Sequence, residues 1–295
     1  MMLIKDLGDR LGFPPEATEY LQQELTQIIC VPGVPDLLAD AMDGLYSMDQ
    51  KEYQSKLERI SEMTGVHEYT VKMIFLMMAA RPLRYIYRQK GIDEEIYWDT
   101  MHDLTNKLNE CKKVYGIWGT FVGEWFRDYY HCLRFHLGRL QFEVRHYDRG
   151  CYRGIIRNGD PVLNCHIPSC GPLKEEDVYD SFRKAMKFFP EVVKDGILPV
   201  VCHSWLLYRP QYEVFPEGGN LRRFYDMFDV IFSESSPKNH NFWRIFNQKE
   251  VDLKTAPTDT TLQRRLKAFM EAGHDMGTGF GVILFDGEKI INKRK

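Results

Sequence analysis

Arg139-Leu140-Gln141-Phe142-Glu143-Val144-Arg145 decides the fold. Its apolar and polar side chains alternate with a period of two, the signature of a half-buried strand. Nothing upstream reads this way. Pro14-Pro15 opens a segment with Tyr20, Leu21, Leu25 and Ile28 at the spacing of one helical face, and Leu37, Leu38, Met42 and Leu45 repeat it after Pro35. Residues 50–63 and 67–90 continue in helical period, the second segment broken or kinked at Pro82. Asp93-Glu94-Glu95 starts a helix through about Cys111, with acids where the helix dipole favours them. The aromatic-rich run from Trp118 to about Leu137 reads as one more helix. The period change thus predicts an all-helical domain over 1–130 and a sheet-bearing domain over 131–295.

Downstream of the quoted stretch, Asp148-Arg149-Gly150 reads as a turn and Cys151–Ile156 as a second strand. Asn158-Gly159 tolerates positive φ at both residues and predicts a hairpin into a third strand, 161–167, making an antiparallel meander. Val178, Phe182, Ala185 and Phe189 then line one face of a helix over 174–189. The nearly continuous apolar run Leu198–Leu207 predicts a central strand over 198–207, covered on both faces and parallel to 161–167 through a right-handed crossover. Asn220 is placed to cap a short helix, and Thr258 or Asp259 to cap a later one closed by Gly273. Gly279–Phe285 and Lys289–Ile291 flank Asp286-Gly287 as a last hairpin. The class is α+β or α/β, a mixed sheet behind a helical domain.

Composition narrows the functional classes. Of 295 residues 44% are hydrophobic and 27% charged, which excludes disorder and collagen. The longest apolar run, Met73–Ala80, is far short of the ~20 residues a bilayer span needs. No apolar core of a signal peptide follows Met1, so a cytoplasmic protein with no membrane partner is expected. Seven cysteines without regular spacing read as reduced thiols. A net charge of −3 with no dominant basic stripe argues against nucleic acid. The charge is uneven: residues 1–120 carry 13 basic and 19 acidic groups, the remainder 26 and 23, compatible with a small anionic ligand on the second half.

The order meander, crossover helix, central strand, helix, terminal strands resembles the GNAT superfamily of N-acetyltransferases. Leu137-Gly138-Arg139-Leu140-Gln141-Phe142-Glu143, His166-Ile167-Pro168 with Gly171-Pro172-Leu173, Ser204-Trp205-Leu206-Leu207, and Gly91 through Asp103 with Trp98-Asp99-Thr100 look like a bacterial acyltransferase family. That family pairs a helical N-acyltransferase N-terminal domain with a GNAT-like C-terminal domain. The resemblance implies acetyl-CoA or another acyl-CoA as co-substrate and an amine acceptor, both small molecules. It also implies a gap between two splayed parallel strands where the acyl donor enters. Ile167, Pro168, Ser169, Cys170 and Gly171 then fall where the CoA pyrophosphate would bind. Most relatives of that superfamily carry a basic, glycine-rich turn there. Here the turn Ser169–Leu173 has one glycine and a proline, followed by Glu175, Glu176 and Asp177, which would repel a pyrophosphate. That departure favours the alternative reading, a non-catalytic ligand-binding or regulatory protein on the same fold.

His166, at the end of the splayed strand, is the first candidate base for an amine, and Glu143 an alternative. The bland reading of His166 is a histidine hydrogen-bonded within the sheet. Ser204 and His203 point to opposite faces of one strand, so a dyad there is geometrically poor, whereas Ser204 can face His166 across the two strands. Cys170 beside a helix start is a weaker nucleophile candidate, with the acids working against its thiolate. Tyr208, Asn220 and Tyr225 follow the central strand, where GNAT enzymes place a group near the leaving thiolate; capping and packing explain them equally well. No metal is expected: Cys165, Cys170 and Cys202 lack paired spacing, and Asp99, His102 and Asp103 read as a solvated helix face. The arginines from Arg134 to Arg157 read either as a set that attracts an anion or, equally well, as a charged outer face of the sheet.

Overall fold

The computed structural model describes residues 4–47, 50–236 and 242–292. The chain divides into two compact units, 1–135 and 136–295.

The first unit is helical. Its elements are α1 (Ile4–Leu11), α2 (Pro15–Ile29), α3 (Val34–Tyr46), α4 (Gln50–Thr64), α5 (Glu68–Gln89), α6 (Glu94–Met101), α7 (Asp103–Tyr115) and α8 (Arg127–Tyr130). Helix α5 is buried on nearly every side, with Thr70, Val71, Met73, Ile74, Phe75, Leu76 and Met77 all inside, as expected of a core helix. It runs unbroken through Pro82, which removes one donor from the ladder. Tyrosines supply hydroxyl donors to the carbonyls just ahead of that proline. Tyr46 donates to Ala79 O and Tyr97 to Ala80 O, each at 2.8 Å, and Tyr130 donates to Leu76 O.

Tyr130→Phe is therefore expected to lower stability by about 1 kcal/mol, the usual net weight of one such bond. An unchanged urea midpoint would show that the hydroxyl contributes nothing.

Burial also sets the alkaline limit of this unit. It pushes the phenols of Tyr46, Tyr87, Tyr97, Tyr129 and Tyr130 up, and it raises Tyr69 and the Cys111 thiol to about 12. Below the unfolded values, 9.0 for the thiol and 10.0 for the phenols, both states keep their protons and these groups leave stability flat. Above them the unfolded chain ionises first, so stability falls as pH rises. The urea midpoint should drop steeply from about pH 10 upward; a flat profile there would contradict the burial of these phenols.

The run from Trp118 to Leu137 is not one helix. A 3-10 turn over Gly123–Phe126 leads into α8, Cys132 adopts φ 53°, and the chain becomes strand β1 (Arg134–Leu137). The left-handed residue ends the helical path, and all four strand residues are buried, which hides the alternation a strand would otherwise show.

The second unit is built on a six-stranded mixed sheet ordered β1-β2-β5-β6-β8-β7. Its strands are β2 (Leu140–His146), β3 (Cys151–Tyr152), β4 (Ile156–Arg157), β5 (Pro161–His166), β6 (Leu198–Ser204), β7 (Asp229–Ser235) and β8 (Gly277–Phe285). The helices are α9 (Glu175–Phe188), α10 (Asn220–Met227), α11 (Trp243–Phe246) and α12 (Thr261–Glu271). The Phe182 ring of α9 packs on Phe142 of β2 at 6.2 Å and on Phe285 of β8 at 5.6 Å, which fixes the helix-covered face.

Several expectations are corrected here. No continuous meander forms: β2 pairs directly with β5, and β3 with β4 makes a separate two-stranded ribbon. Asn158-Gly159 closes that ribbon back onto β2, with Gly159 N donating to Tyr147 O and Asn158 Oδ1 accepting from Gly150 N. The central strand stops at Ser204 rather than at residue 207. Ser204 Oγ accepts from Leu206 N at 3.2 Å and starts a 3-10 turn over Trp205–Leu207. That turn lies on a glycine stripe of β8, where any Cβ at Gly279 would collide with the Leu207 carbonyl. Thr260, not Thr258 or Asp259, caps α12, in a reciprocal box with Gln263. Gly219, not Asn220, caps α10, and Asn220 is its first residue.

Candidate active site

Strands β5 and β6 are parallel and share register only at Leu163↔Val200 and Asn164↔Val201. Beyond that point each follows its other neighbour. His166 stays opposite Gln141 of β2, while Cys202, His203 and Ser204 stay opposite Gly281, Phe280 and Gly279 of β8. The two strands are thus drawn apart at their carboxyl ends, where ligands of such sheets sit. Cys165 and Cys202 mark the closed base of this split. The hydrogen bond with Cys202, and then burial, push the Cys165 thiol up, so it is an inert packing thiol.

Side-chain alternation gathers Gln141, Glu143 and Arg145 of β2 with Asn164 and His166 of β5 on the face opposite α9. Glu143 is the centre of this group, its side chain only 4% exposed. One oxygen, Oε1, meets three nitrogens: Arg145 Nε at 2.8 Å, Asn164 Nδ2 at 3.0 Å and His166 Nε2 at 3.1 Å. A buried carboxylate is sustained only with partners of this kind. The carboxylate lies against Nε2, where a ring N–H can donate to it and a protonated ring finds its countercharge. The His166 side chain is 20% exposed, so the ring is reachable while its orienting acid is not. An acid that holds a histidine in one tautomer and steadies its charged form is a general-base arrangement.

Arg139, on the β1–β2 turn, holds the turn after β5. Its guanidinium donates to Pro168 O and Pro172 O at 3.0 Å each and to Gly171 O at 2.6 Å, and burial pulls its pKa down. Across a trans peptide the carbonyl and the following N–H point in opposite directions. The bonds from Arg139 therefore turn the N–H groups of Ser169 and Leu173 to the far side. Gly171 takes φ 110°, a backbone open to glycine alone without strain. Glu175, Glu176 and Asp177 are exposed in the first turn of α9.

Of the residues singled out from sequence, Glu143 and His166 come together. Ile167 and Pro168 continue from His166 into the turn that carries Ser169, Cys170 and Gly171. The others make their contacts elsewhere. Ser204 caps the Trp205–Leu207 turn. Tyr208 is buried against Gly277. Asn220 Oδ1 accepts from Arg223, and the Tyr225 ring lies 4.7 Å from Tyr212, with burial raising its phenol. Sequence reasoning missed Gln141, Asn164 and Arg139 as parts of the site. Asn164 had a readable signal, since Asn164 and His166 stand two apart in an otherwise apolar strand.

Among the described residues no group of three or more His, Cys, Asp or Glu is placed to hold a metal ion. The expected solvated face of Asp99, His102 and Asp103 is broken, because His102 separates α6 from α7. Asp103 is buried and accepts from Asn106 at 3.0 Å and from the Tyr129 hydroxyl at 3.2 Å. No described helix is long and apolar enough to cross a membrane.

Comparison with known proteins agrees with this layout. Residues 134–283 match the GNAT-like C-terminal domain and residues 2–132 the N-acyltransferase N-terminal domain. None of the curated proteins matches the chain. Among solved structures, an acyltransferase in complex with decanoyl-CoA and teicoplanin is similar at 20% identity and TM-score 0.75, covering 95% of this chain and 86% of that one. A mutant acyltransferase in complex with octanoyl-CoA is similar at 20% identity and TM-score 0.74, covering 97% and 87%. At that identity the likeness shows the fold.

Proposed function

This chain belongs to the GNAT-like C-terminal domain family, and we propose that it transfers an acyl group from an acyl-CoA thioester to an amine. The observation that carries this reading is the buried Glu143 carboxylate against His166 Nε2, beside the point where β5 and β6 part. The solved relatives with decanoyl-CoA and octanoyl-CoA support a medium-chain acyl donor, and the complex with teicoplanin supports a small-molecule acceptor.

In this mechanism the thioester lies in the split and the amine approaches over His166. His166 takes the amine proton as the nitrogen attacks the carbonyl carbon. Backbone N–H groups of β5 that β6 no longer covers polarise the carbonyl oxygen. The C–S bond then breaks, and the proton passes from His166 to the leaving thiolate. Holding both reactants in one geometry supplies much of the rate. The turn 168–173, fixed from beneath by Arg139, presents N–H groups to the pyrophosphate and offsets the acids of α9.

Calorimetric titration with decanoyl-CoA tests the donor. Saturable one-to-one binding is expected, followed by thiol release when an amine is added. Absence of any binding would overturn the reading in favour of a non-catalytic protein on this fold.

A further inference from the structure

The split between β5 and β6 has a second histidine on its rim. Asn164 of β5 and Val201 of β6 stand side by side in the parallel ladder. Two residues further along each strand, and therefore on the same face, come His166 and His203. That face is the one opposite α9. Cys202, beside His203, meets Cys165, which is level with Phe142 under the helix, so His203 points the other way. Neighbouring strands run about 5 Å apart, and these two part just beyond their last shared pair, so both histidines flank the opening. His203 is exposed. Its ring is held all the same: Nε2 lies 3.2 Å from the Thr278 hydroxyl of β8, and the ring centre lies 6.3 Å from that of Phe280. Nδ1 makes no hydrogen bond among the described residues. A threonine hydroxyl gives or takes a hydrogen bond, so with Thr278 donating to Nε2 the ring carries its own proton on Nδ1.

We propose that His203 is a second catalytic residue, which donates a hydrogen bond from Nδ1 to the acyl-CoA sulfur as the C–S bond breaks. This rests on the acyl-transfer reading above and deepens its second half. Attack by the amine forms the C–N bond, and the electron pair of the C–S bond then leaves with the sulfur. Negative charge builds up there. A donor already in place for that charge lowers the barrier, because nothing has to rearrange at the moment of reaction. The proton that ends on the sulfur is the one His166 took from the amine, and His203 keeps its own. An amide and free CoA thiol result. The two rims suit the two tasks: His166 has a buried carboxylate to steady a positive ring, whereas His203 has only a neutral hydroxyl.

The test sets decanoyl-CoA against its selenoester analogue, in which selenium replaces the leaving sulfur and the CoA handle is kept. Hydroxylamine serves as the acceptor, being a very small amine that is largely unprotonated at neutral pH. Hydroxamate formation is followed, with the uncatalysed rate subtracted. His203→Ala is expected to lower kcat with decanoyl-CoA roughly 100-fold, the low end for removing one such donor. With the selenoester the loss should be smaller by roughly 10-fold, because a selenolate leaves with less help. His203→Asn, whose amide nitrogen falls close to the place of Nδ1, should recover most of the rate with decanoyl-CoA. Decanoyl-CoA affinity and melting temperature should hold in both variants, since the ring is exposed. Equal losses with the two donors overturn the assignment, and so does full activity in His203→Ala. An asparagine variant no faster than the alanine one also overturns it, as does a lower melting temperature in both, which would make the ring structural. Binding of decanoyl-CoA without hydroxamate formation by the wild type overturns it while leaving the donor site intact. Failure to bind decanoyl-CoA overturns this assignment and the acyl-transfer reading together.

Discussion

Replacing His166 by alanine is expected to lower acyl-transfer turnover ~10²–10⁴-fold, the usual contribution of a positioned acid–base group. Decanoyl-CoA affinity should change little, because in the proposed mechanism the ring meets the amine and not the nucleotide. The expected signature is a loss in kcat and kcat/KM together, as when an interaction made only in the transition state is removed. Glu143→Gln probes the same unit from the buried side. The amide preserves volume and keeps Oε1 as an acceptor but removes the charge that steadies the protonated ring. A comparable loss in turnover is expected, because the protonated ring then lacks its countercharge. Full activity in His166→Ala would exclude the ring as the base. It would leave His166 as a histidine bonded into the sheet by Glu143.

Gly279→Ala is expected to destabilise the sheet-bearing unit by about 3 kcal/mol or more, at the upper end for overpacking of a close-packed interior. The added methyl would meet the Leu207 carbonyl, which is backbone and has no rotamer to move into. Gly277 and Gly281 stand on the same face of β8, and a Cβ at either would strike the Tyr208 ring or the Leu207 and Phe228 side chains. The three glycines together let the Trp205–Leu207 turn lie flat on the sheet. Because that turn begins at Ser204, displacing it should also disturb the end of β6 and weaken donor binding. Urea denaturation of the variant, followed alongside decanoyl-CoA titration, checks both effects. A midpoint equal to that of the wild type would mean that the turn can lift off β8 at no cost. The same substitution at Gly150, with nothing within 4 Å, meets no atom but is strained by its φ of 83°, which separates backbone strain from collision.

By itself the sequence determined that a helical half precedes a strand-bearing half, and which segments become β2, β5 and β6. Those features follow from backbone geometry, because side chains recur every 3.6 residues on a helix and every two on a strand whatever they pack against. It placed His166 at the end of β5 for the same reason, since the strand and the Pro168 turn are both local. It also singled out Glu143, but as an alternative base, and nothing local reveals that this carboxylate is buried and faces the histidine. That pairing depends on the register Glu143↔Asn164 and Gln141↔His166, which is set by contacts across the sheet. The alternation that marked Leu140–Arg145 as a strand suggested an exposed polar face, yet Gln141 and Glu143 are inside. The length of β6 escaped for a related reason. Leu207 is apolar because it covers a glycine stripe of β8, some 70 residues further along the chain, and only the folded sheet brings the two together.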